Sequence, residues 1–259
     1  MSEIAMRSFQ GHMMLRAKDL WVSRAPFVHA DWMSNAVRLQ RAHQGYGSIQ
    51  EVRTGDRLTH TLTYHTSEEG LRGIFGSRMP KKLGSRDVVC NEDCTATGFE
   101  FFVLGADELA LPKHPVTNVT QFHAQAMCLA IGADLMTDDQ YVAVVKGPEG
   151  NRQHSTPNGK LFGPSGEEYV HSSLKERKTG TADVEDPSRP DGSYGTRDYT
   201  GNVWKWMKRN LQERNQFGVR GGSWGNDFPE FFAVSYRGYG LPDFRVGGVG
   251  FLAASPVQG

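Results

Sequence analysis

The chain has 259 residues, of which 38% are hydrophobic and 30 are glycine, which suits one large loop-rich globular domain or two modest ones. Lys plus Arg number 29 and so do Asp plus Glu, so a formal charge of zero removes any general electrostatic argument for nucleic acid or an anionic membrane surface. The opening Met1-Ser2-Glu3-Ile4-Ala5-Met6-Arg7 lacks an apolar core of signal-peptide length and no run reaches a membrane span, which points to a soluble, cytoplasmic or phage-borne protein without membrane insertion. Cys90, Cys94 and Cys128 are too few, and odd in number, for a disulfide framework, so a reducing compartment fits.

Residues 1–95 form an N-terminal region of unknown type, integrated with the remainder of the chain or separate from it. Within it, residues 31–43 place Trp32, Met33, Ala36, Val37 and Leu39 near helical spacing before Gly45-Tyr46-Gly47. Residues 58–64 alternate instead, with Leu58, His60, Leu62 and Tyr64 on one face and Thr59, Thr61 and Thr63 on the other, a strand preceded by the turn Thr54-Gly55-Asp56. His60 and His65 have no acidic or cysteine partner at ligand spacing and read as structural or surface residues. The basic loop 77–86, with Arg78, Lys81, Lys82 and Arg86, lacks interleaved aromatics and reads as a solvated face. Cys90 and Cys94 make only half a metal site.

Residues 98–104 are apolar and rich in phenylalanine, as in a buried strand. Thr120 precedes a predicted helix over 121–131 whose apolar face carries Phe122, Ala126, Leu129 and Ala130, with Gly132 as its stop. Thr137-Asp138-Asp139-Gln140 is a capping box for a second helix reaching about Val145. Residues 147–190, rich in Gly, Pro, Ser, Asn and charge, form a long irregular excursion.

Four boxes then stand in order: Pro115-Val116-Thr117-Asn118-Val119-Thr120, Gly201-Asn202-Val203-Trp204, Arg220-Gly221-Gly222-Ser223-Trp224 and Gly250-Phe251. Over 114–251 this arrangement resembles the formylglycine-generating-enzyme (sulfatase-modifying factor) family, a branch of the C-type lectin fold. The resemblance implies an α+β, loop-rich fold over 96–259, with Trp204, Trp206, Arg220, Gly221, Gly222, Trp224 and Phe251 as structural residues.

The departures bear on chemistry. Family enzymes oxidise a substrate cysteine with copper held by two cysteines between the Gly-Gly-Ser-Trp box and the final Gly-Phe, a role only soft thiolates can fill. Counting back from Gly250-Phe251 puts Pro229 and Val234 at those places, and no cysteine follows Cys128. Many relatives carry an acid after the Gly-Asn-x-Trp box, where it helps cage calcium. Here Lys205 stands there, and the expectation is that its ammonium pairs with Asp198 or nearby carbonyls in place of an ion. Relatives using non-haem iron need a His/His/carboxylate set, and His114, His123, His154 and His171 lack such spacing.

Residues 225–249 carry Phe228, Phe231, Phe232, Tyr236, Tyr239 and Phe244 among glycines, aspartates and arginines with no regular period, a paratope-like composition. The segment resembles the variable region of diversity-generating retroelement proteins in this fold family. Adenine-directed mutagenesis of Asn-type codons there cannot produce Lys, Gln, Met, Trp or Glu, and only Glu230 departs from that rule. The final Gly-Phe is followed by Leu252 where the family usually has Arg.

The reading is a non-enzymatic ligand-binding protein with a hypervariable surface and no catalytic residue, metal or cofactor. Its expected contacts are Asn226, Asp227, Phe228, Phe231, Phe232, Tyr236, Arg237, Tyr239, Asp243, Phe244 and Arg245, toward a protein or surface ligand and not nucleic acid, with homo-oligomerisation left open. Two alternatives stand beside it: an enzyme or maturation factor with altered, iron-dependent chemistry, and a phage or cell-surface assembly component whose N-terminal region oligomerises.

Overall fold

The computed structural model describes residues 5–28, 30–31, 46–54, 57–65, 96–104, 113–208, 217–241, 244 and 246–257. The chain opens with three short antiparallel strands, β1 (Met6–Phe9), β2 (His12–Ala17) and β3 (Leu20–Ser23). They join the end of the chain: β12 (Ala253–Pro256) pairs with β3 and with β7 (Asp134–Leu135), giving a five-stranded sheet in the order β1-β2-β3-β12-β7. N-terminal and C-terminal residues thus share one sheet.

A second sheet holds the boxes. Strands β8 (Trp204–Trp206), β9 (Phe217–Arg220), β10 (Gly238–Gly240) and β11 (Val249–Phe251) lie in the order β10-β9-β8-β11, with β11 parallel to β8 and the other pairs antiparallel. A third sheet joins β4 (Tyr46–Thr54), β5 (Arg57–His65) and β6 (Ala96–Leu104). The strands expected over 58–64 and 98–104 are β5 and β6, and their register sets Leu58, His60 and Leu62 opposite Val103, Phe101 and Phe99. Of the helix expected over 31–43 only Asp31 is described, and the loop 77–86, Cys90 and Cys94 lie outside the described residues.

Two helices complete the frame. Helix α1 (Gln121–Ala130) ends where Gly132 takes φ of 79°, a conformation that a residue without Cβ adopts freely. Of the expected apolar face, Ala126 is buried and Leu129 and Ala130 are half-buried, while the Phe122 side chain lies outside what the structure describes; Ala124, Met127 and Cys128 reach the core as well. Helix α2 (Asp138–Lys146) begins in the expected capping box, with Thr137 accepting from the Gln140 amide and Gln140 accepting from the Thr137 amide. Residues 147–190 contain no helix and no strand beyond a single bridge between Phe162 and Glu168.

The two large core clusters each draw on both ends of the chain. Met14, Phe27, Val116, Met127, Trp206, Val249 and Phe251 share one; Leu15, Val22, Tyr141, Val145, Tyr199, Val234 and Leu252 share the other. Phe27 stacks on Phe251 at 4.6 Å and on His12 at 3.9 Å.

Candidate binding surface

The site begins with the turn before β8. Gly201 (φ 83°) and Asn202 (φ 62°) are left-handed, and Asn202 is fully buried. Its side-chain amide donates to the Ala182 carbonyl (2.9 Å) and to Asp198 Oδ2 (2.8 Å) and accepts from the Ala182 amide (3.0 Å), tying the long excursion to the box. Asp198 also takes two hydrogen bonds from Arg189.

Lys205 points inward from β8 and is fully buried. Its ammonium donates to the carbonyls of Gly201 (2.7 Å) and Tyr199 (3.1 Å). Of the two expected arrangements, the carbonyl one is formed. Burial lowers the Lys205 pKa to about 7, with Asp198 pulling the other way. The Tyr199 carbonyl also accepts from the Tyr141 hydroxyl at 2.7 Å, and burial raises both tyrosine pKa values. Gly221 has to be glycine here, since a Cβ would lie 2.3 Å from the Tyr199 carbonyl oxygen; at Gly222 it would lie 2.5 Å from the Phe232 ring.

Arg220 ends β9 and organises the segment after it. Its Nε donates to Asp138 Oδ1 (2.7 Å), while one Nη donates to the carbonyls of Val234 (3.1 Å) and Tyr236 (3.0 Å). Arg237 donates to the same Asp138 oxygen at 3.0 Å, and its guanidinium lies 4.5 Å from the Tyr239 ring centroid. Asp138 sits in the first turn of α2, where a negative charge also complements the helix dipole.

The backbone from 226 to 248 is gripped from outside at many points. Ser173 N–H donates to the Asn226 carbonyl (3.0 Å), Val234 N–H to the Gln153 carbonyl (2.8 Å) and Asn118 N–H to the Val246 carbonyl (3.2 Å). His154 Nδ1 donates to the Phe232 carbonyl (2.9 Å), and burial lowers the His154 pKa. The Trp224 indole donates to the Gly247 carbonyl at 3.1 Å, and Trp204 N–H to that of Gly248 at 2.7 Å. These bonds end on main-chain atoms of the segment and are indifferent to its side chains.

The expected contact residues divide accordingly. Phe228 (60% exposed), Tyr239 (54%) and Phe244 (39%) face outward, as does Asp227, while Phe231 and Tyr236 are half-buried. Phe232 is a correction: it is fully buried against Leu161 and Val170, drawn inward because its ring fills the space that Gly222 leaves. The side chains of Asn226 and Arg237 have internal work, Asn226 Oδ1 accepting from Ser223 N–H and Oγ, and Arg237 pairing with Asp138. Asp243 and Arg245 lie outside the described residues.

Phe228, Phe231, Tyr236 and Trp204 form a chain of ring contacts. Phe231 meets Phe228 at 6.0 Å and Tyr236 at 5.1 Å, both nearly perpendicular, and Trp204 meets Phe231 at 6.2 Å and Tyr236 at 5.8 Å. Half-buried Phe162 and Leu174 from the excursion pack against the cluster that holds Phe231 and Phe232. The sequence pattern marks Trp204 as part of the frame and gives no sign of Phe162, Leu174, Leu241 or Val246; the last two are 62% and 37% exposed. A lone apolar residue in a glycine-rich loop carries no periodic signal. Among the expected structural residues, Trp206, Arg220, Gly221, Gly222 and Phe251 are buried, and Trp204 and Trp224 are half-buried.

The family described as "Sulfatase-modifying factor enzyme 1-like domain" matches residues 81–255. No curated protein matches the sequence. Among solved structures, PvdO from Pseudomonas aeruginosa is similar at a TM-score of 0.56 and 14% identity, covering 96% of this chain and 86% of its own. CarF is similar at 0.52 and 15%, covering 92% and 87%. Variable protein 1 of Treponema denticola gives 0.49 and 13%, covering 98% and 99%. At these identities the likeness to PvdO and CarF is one of fold.

Proposed function

The chain belongs to the sulfatase-modifying factor enzyme 1-like domain family, with an α+β C-type-lectin-like fold, and from that premise we propose that it is a non-enzymatic binding protein whose C-terminal segment carries specificity. One observation carries the reading. The segment is held by hydrogen bonds to its backbone, whereas the side chains of Asp227, Phe228 and Tyr239 project outward. Such a segment can be diversified, as in retroelement variable proteins, without a new fold for each sequence.

The residues at the family's copper positions support the same reading. Val234 is 4% exposed and packs in the core, and Pro229 opens a short 3-10 turn. Neither offers a thiolate, and the Cys128 thiol is fully buried, with its pKa raised by that burial.

Deep sequencing of codons 225–249 across a source population tests the proposal. The expected result is adenine-directed substitution at Asp227, Phe228, Phe231, Tyr236, Tyr239, Asp243, Phe244 and Arg245, with Trp204, Phe232, Trp224 and Phe251 constant. Uniform codons would remove the diversified-surface reading. A Phe228→Ala/Tyr239→Ala variant complements it, since it is expected to keep the wild-type thermal transition; a collapsed fold would make these residues core.

A further inference from the structure

Strand β10 is the edge of its sheet, and its neighbours fix which way its backbone faces. The Gly218 carbonyl accepts from Met207 N–H at 2.9 Å, so Gly218 turns its polar groups toward β8, and Phe217 and Val219 on either side turn theirs toward β10. The register sets Gly238 opposite Val219 and Gly240 opposite Phe217. Tyr239, between them, therefore directs its N–H and C=O out of the sheet, and among the described residues neither makes a hydrogen bond. The opposite edge is closed: β11 is buried, and Phe27 N–H donates to its Phe251 carbonyl at 3.3 Å.

Side chains are exposed along the open edge. Tyr239 and Leu241 are both more than half exposed, and Gly238 is half-buried. Tyr239 shares one face of the sheet with Arg237, whose guanidinium lies 4.5 Å from the Tyr239 centroid. Gly238 shares the other face with Val219 and Trp204, which a Cβ at 238 would meet at 2.9 and 3.9 Å.

An outward N–H and C=O on one residue are complemented by the main chain of another extended segment. Open sheet edges take peptides in this way, with main-chain bonds supplying affinity and alternate side chains supplying specificity. An incoming strand would send successive side chains to opposite faces, first beside Tyr239 and then beside Gly238, where no side chain stands in front of Val219 and Trp204.

We infer that β10 is a docking edge that takes an extended segment of a partner protein as an added strand, paired through the main chain of Tyr239, with an apolar side chain laid beside Tyr239 and Leu241. This rests on reading the C-terminal segment as a binding surface and adds the conformation of its partner. The edge has three residues and offers few main-chain bonds, so discrimination stays with the side chains. Substitution at 239 by any residue but proline keeps the N–H and C=O in place, which suits a diversified segment.

The test is selection of a linear random-peptide phage library on the immobilised full chain, followed by fluorescence anisotropy. Peptides that use the segment are those weakened by Phe228→Ala/Tyr239→Ala. For these, Tyr239→Pro is compared with Tyr239→Ala, because proline removes the outward N–H and is tolerated at an edge position where no ladder bond uses it. The proline variant should bind about tenfold more weakly than the alanine variant. Each peptide is also N-methylated residue by residue and measured on the wild-type chain, which makes the outcome independent of how the proline variant folds. Affinity should fall about tenfold at the position whose N–H meets the Tyr239 carbonyl and less than about twofold at its immediate neighbours, whose N–H groups point away. Segment-using peptides without this alternation would overturn strand addition and leave the binding surface standing, whatever the proline variant does. Dimerisation of the full chain in sedimentation that Tyr239→Pro abolishes would give the edge to a second copy and overturn it as well. If no selected peptide depends on Phe228 and Tyr239, both readings fall.

Discussion

Lys205 carries a cation into the interior with only neutral carbonyl oxygens in direct contact. Its folded pKa of about 7 lies well below the usual lysine value, so between about pH 7 and pH 10 the unfolded chain binds a proton that the folded chain does not. Stability therefore rises with pH across that window, and below pH 7, where both states hold the proton, this contribution no longer changes. Cys128 titrates in the opposite sense above its unfolded pKa, so the lysine effect is read as a difference from Lys205→Met. That variant should lose about 1–3 kcal/mol by stranding the Gly201 carbonyl. The gap between wild type and variant should widen from pH 7 to pH 10 in urea denaturation, and a constant gap would mean that Lys205 is protonated throughout. Because the ammonium occupies the carbonyl cage, calcium should leave the wild-type melting temperature unchanged; a calcium-dependent rise would contradict the substitution of lysine for ion.

Phe232 and Phe228 show how far apart neighbours in one segment can lie. Phe232→Ala should cost about 3–5 kcal/mol, as a fully buried aromatic does, whereas Phe228→Ala should change stability by less than about 0.5 kcal/mol. Thermal denaturation of the two single variants separates frame from surface directly. Equal losses would put Phe228 in the core.

Among the elements, α2 and β9 decide where the surface stands. Asp138 is fixed by the capped first turn of α2 and accepts from both Arg220 and Arg237, and Arg220 passes that position on to the carbonyls of Val234 and Tyr236. Arg220→Ala removes the clamp and leaves Asp138 one partner. The expected outcome is a loss near the lower end of about 3–5 kcal/mol, with faster amide hydrogen exchange over 234–240 and unchanged exchange in α1. Uniform acceleration through the molecule would mean that Arg220 serves global stability alone.

The same elements show what could be read from sequence. The α2 start was legible because a capping box is a local chemical pattern, and β5 because its alternation is strict. The Arg220–Asp138 pair was not legible, since it joins residues 82 apart and nothing local marks either as a partner. Nor was the inward turn of Phe232, which depends on Gly222 lying beneath it. Strands β1 to β3 escaped for another reason. Each has four to six residues, and β2 buries both Met14 and Leu15, so the period of two is broken.

At the scale of the molecule, the first residues close the fold that the last residues begin. Strand β12 lies between β3 and β7; its Ala253 amide donates to Ser23 Oγ at 2.8 Å, and His12 Nε2 meets that oxygen at 2.8 Å. His12 is held in turn by Asp31, 2.8 Å from its Nδ1, and the Tyr199 hydroxyl donates to the Ser23 carbonyl at 2.7 Å. Phe27 inserts between His12 and Phe251 and exchanges backbone hydrogen bonds with Phe251 and Val116. None of these N-terminal partners lies within residues 81–255, the span of the family match. A chain begun at residue 81 would leave one edge of β12 unpaired and expose Phe251, Leu252 and Ala254 where Phe27, Leu15 and Val22 now pack. It should show no cooperative thermal transition by circular dichroism, whereas the full chain shows one. A cooperative transition in the shortened chain would mean that the two sheets and α1 suffice, and that the N-terminal strands are an addition to a fold already complete.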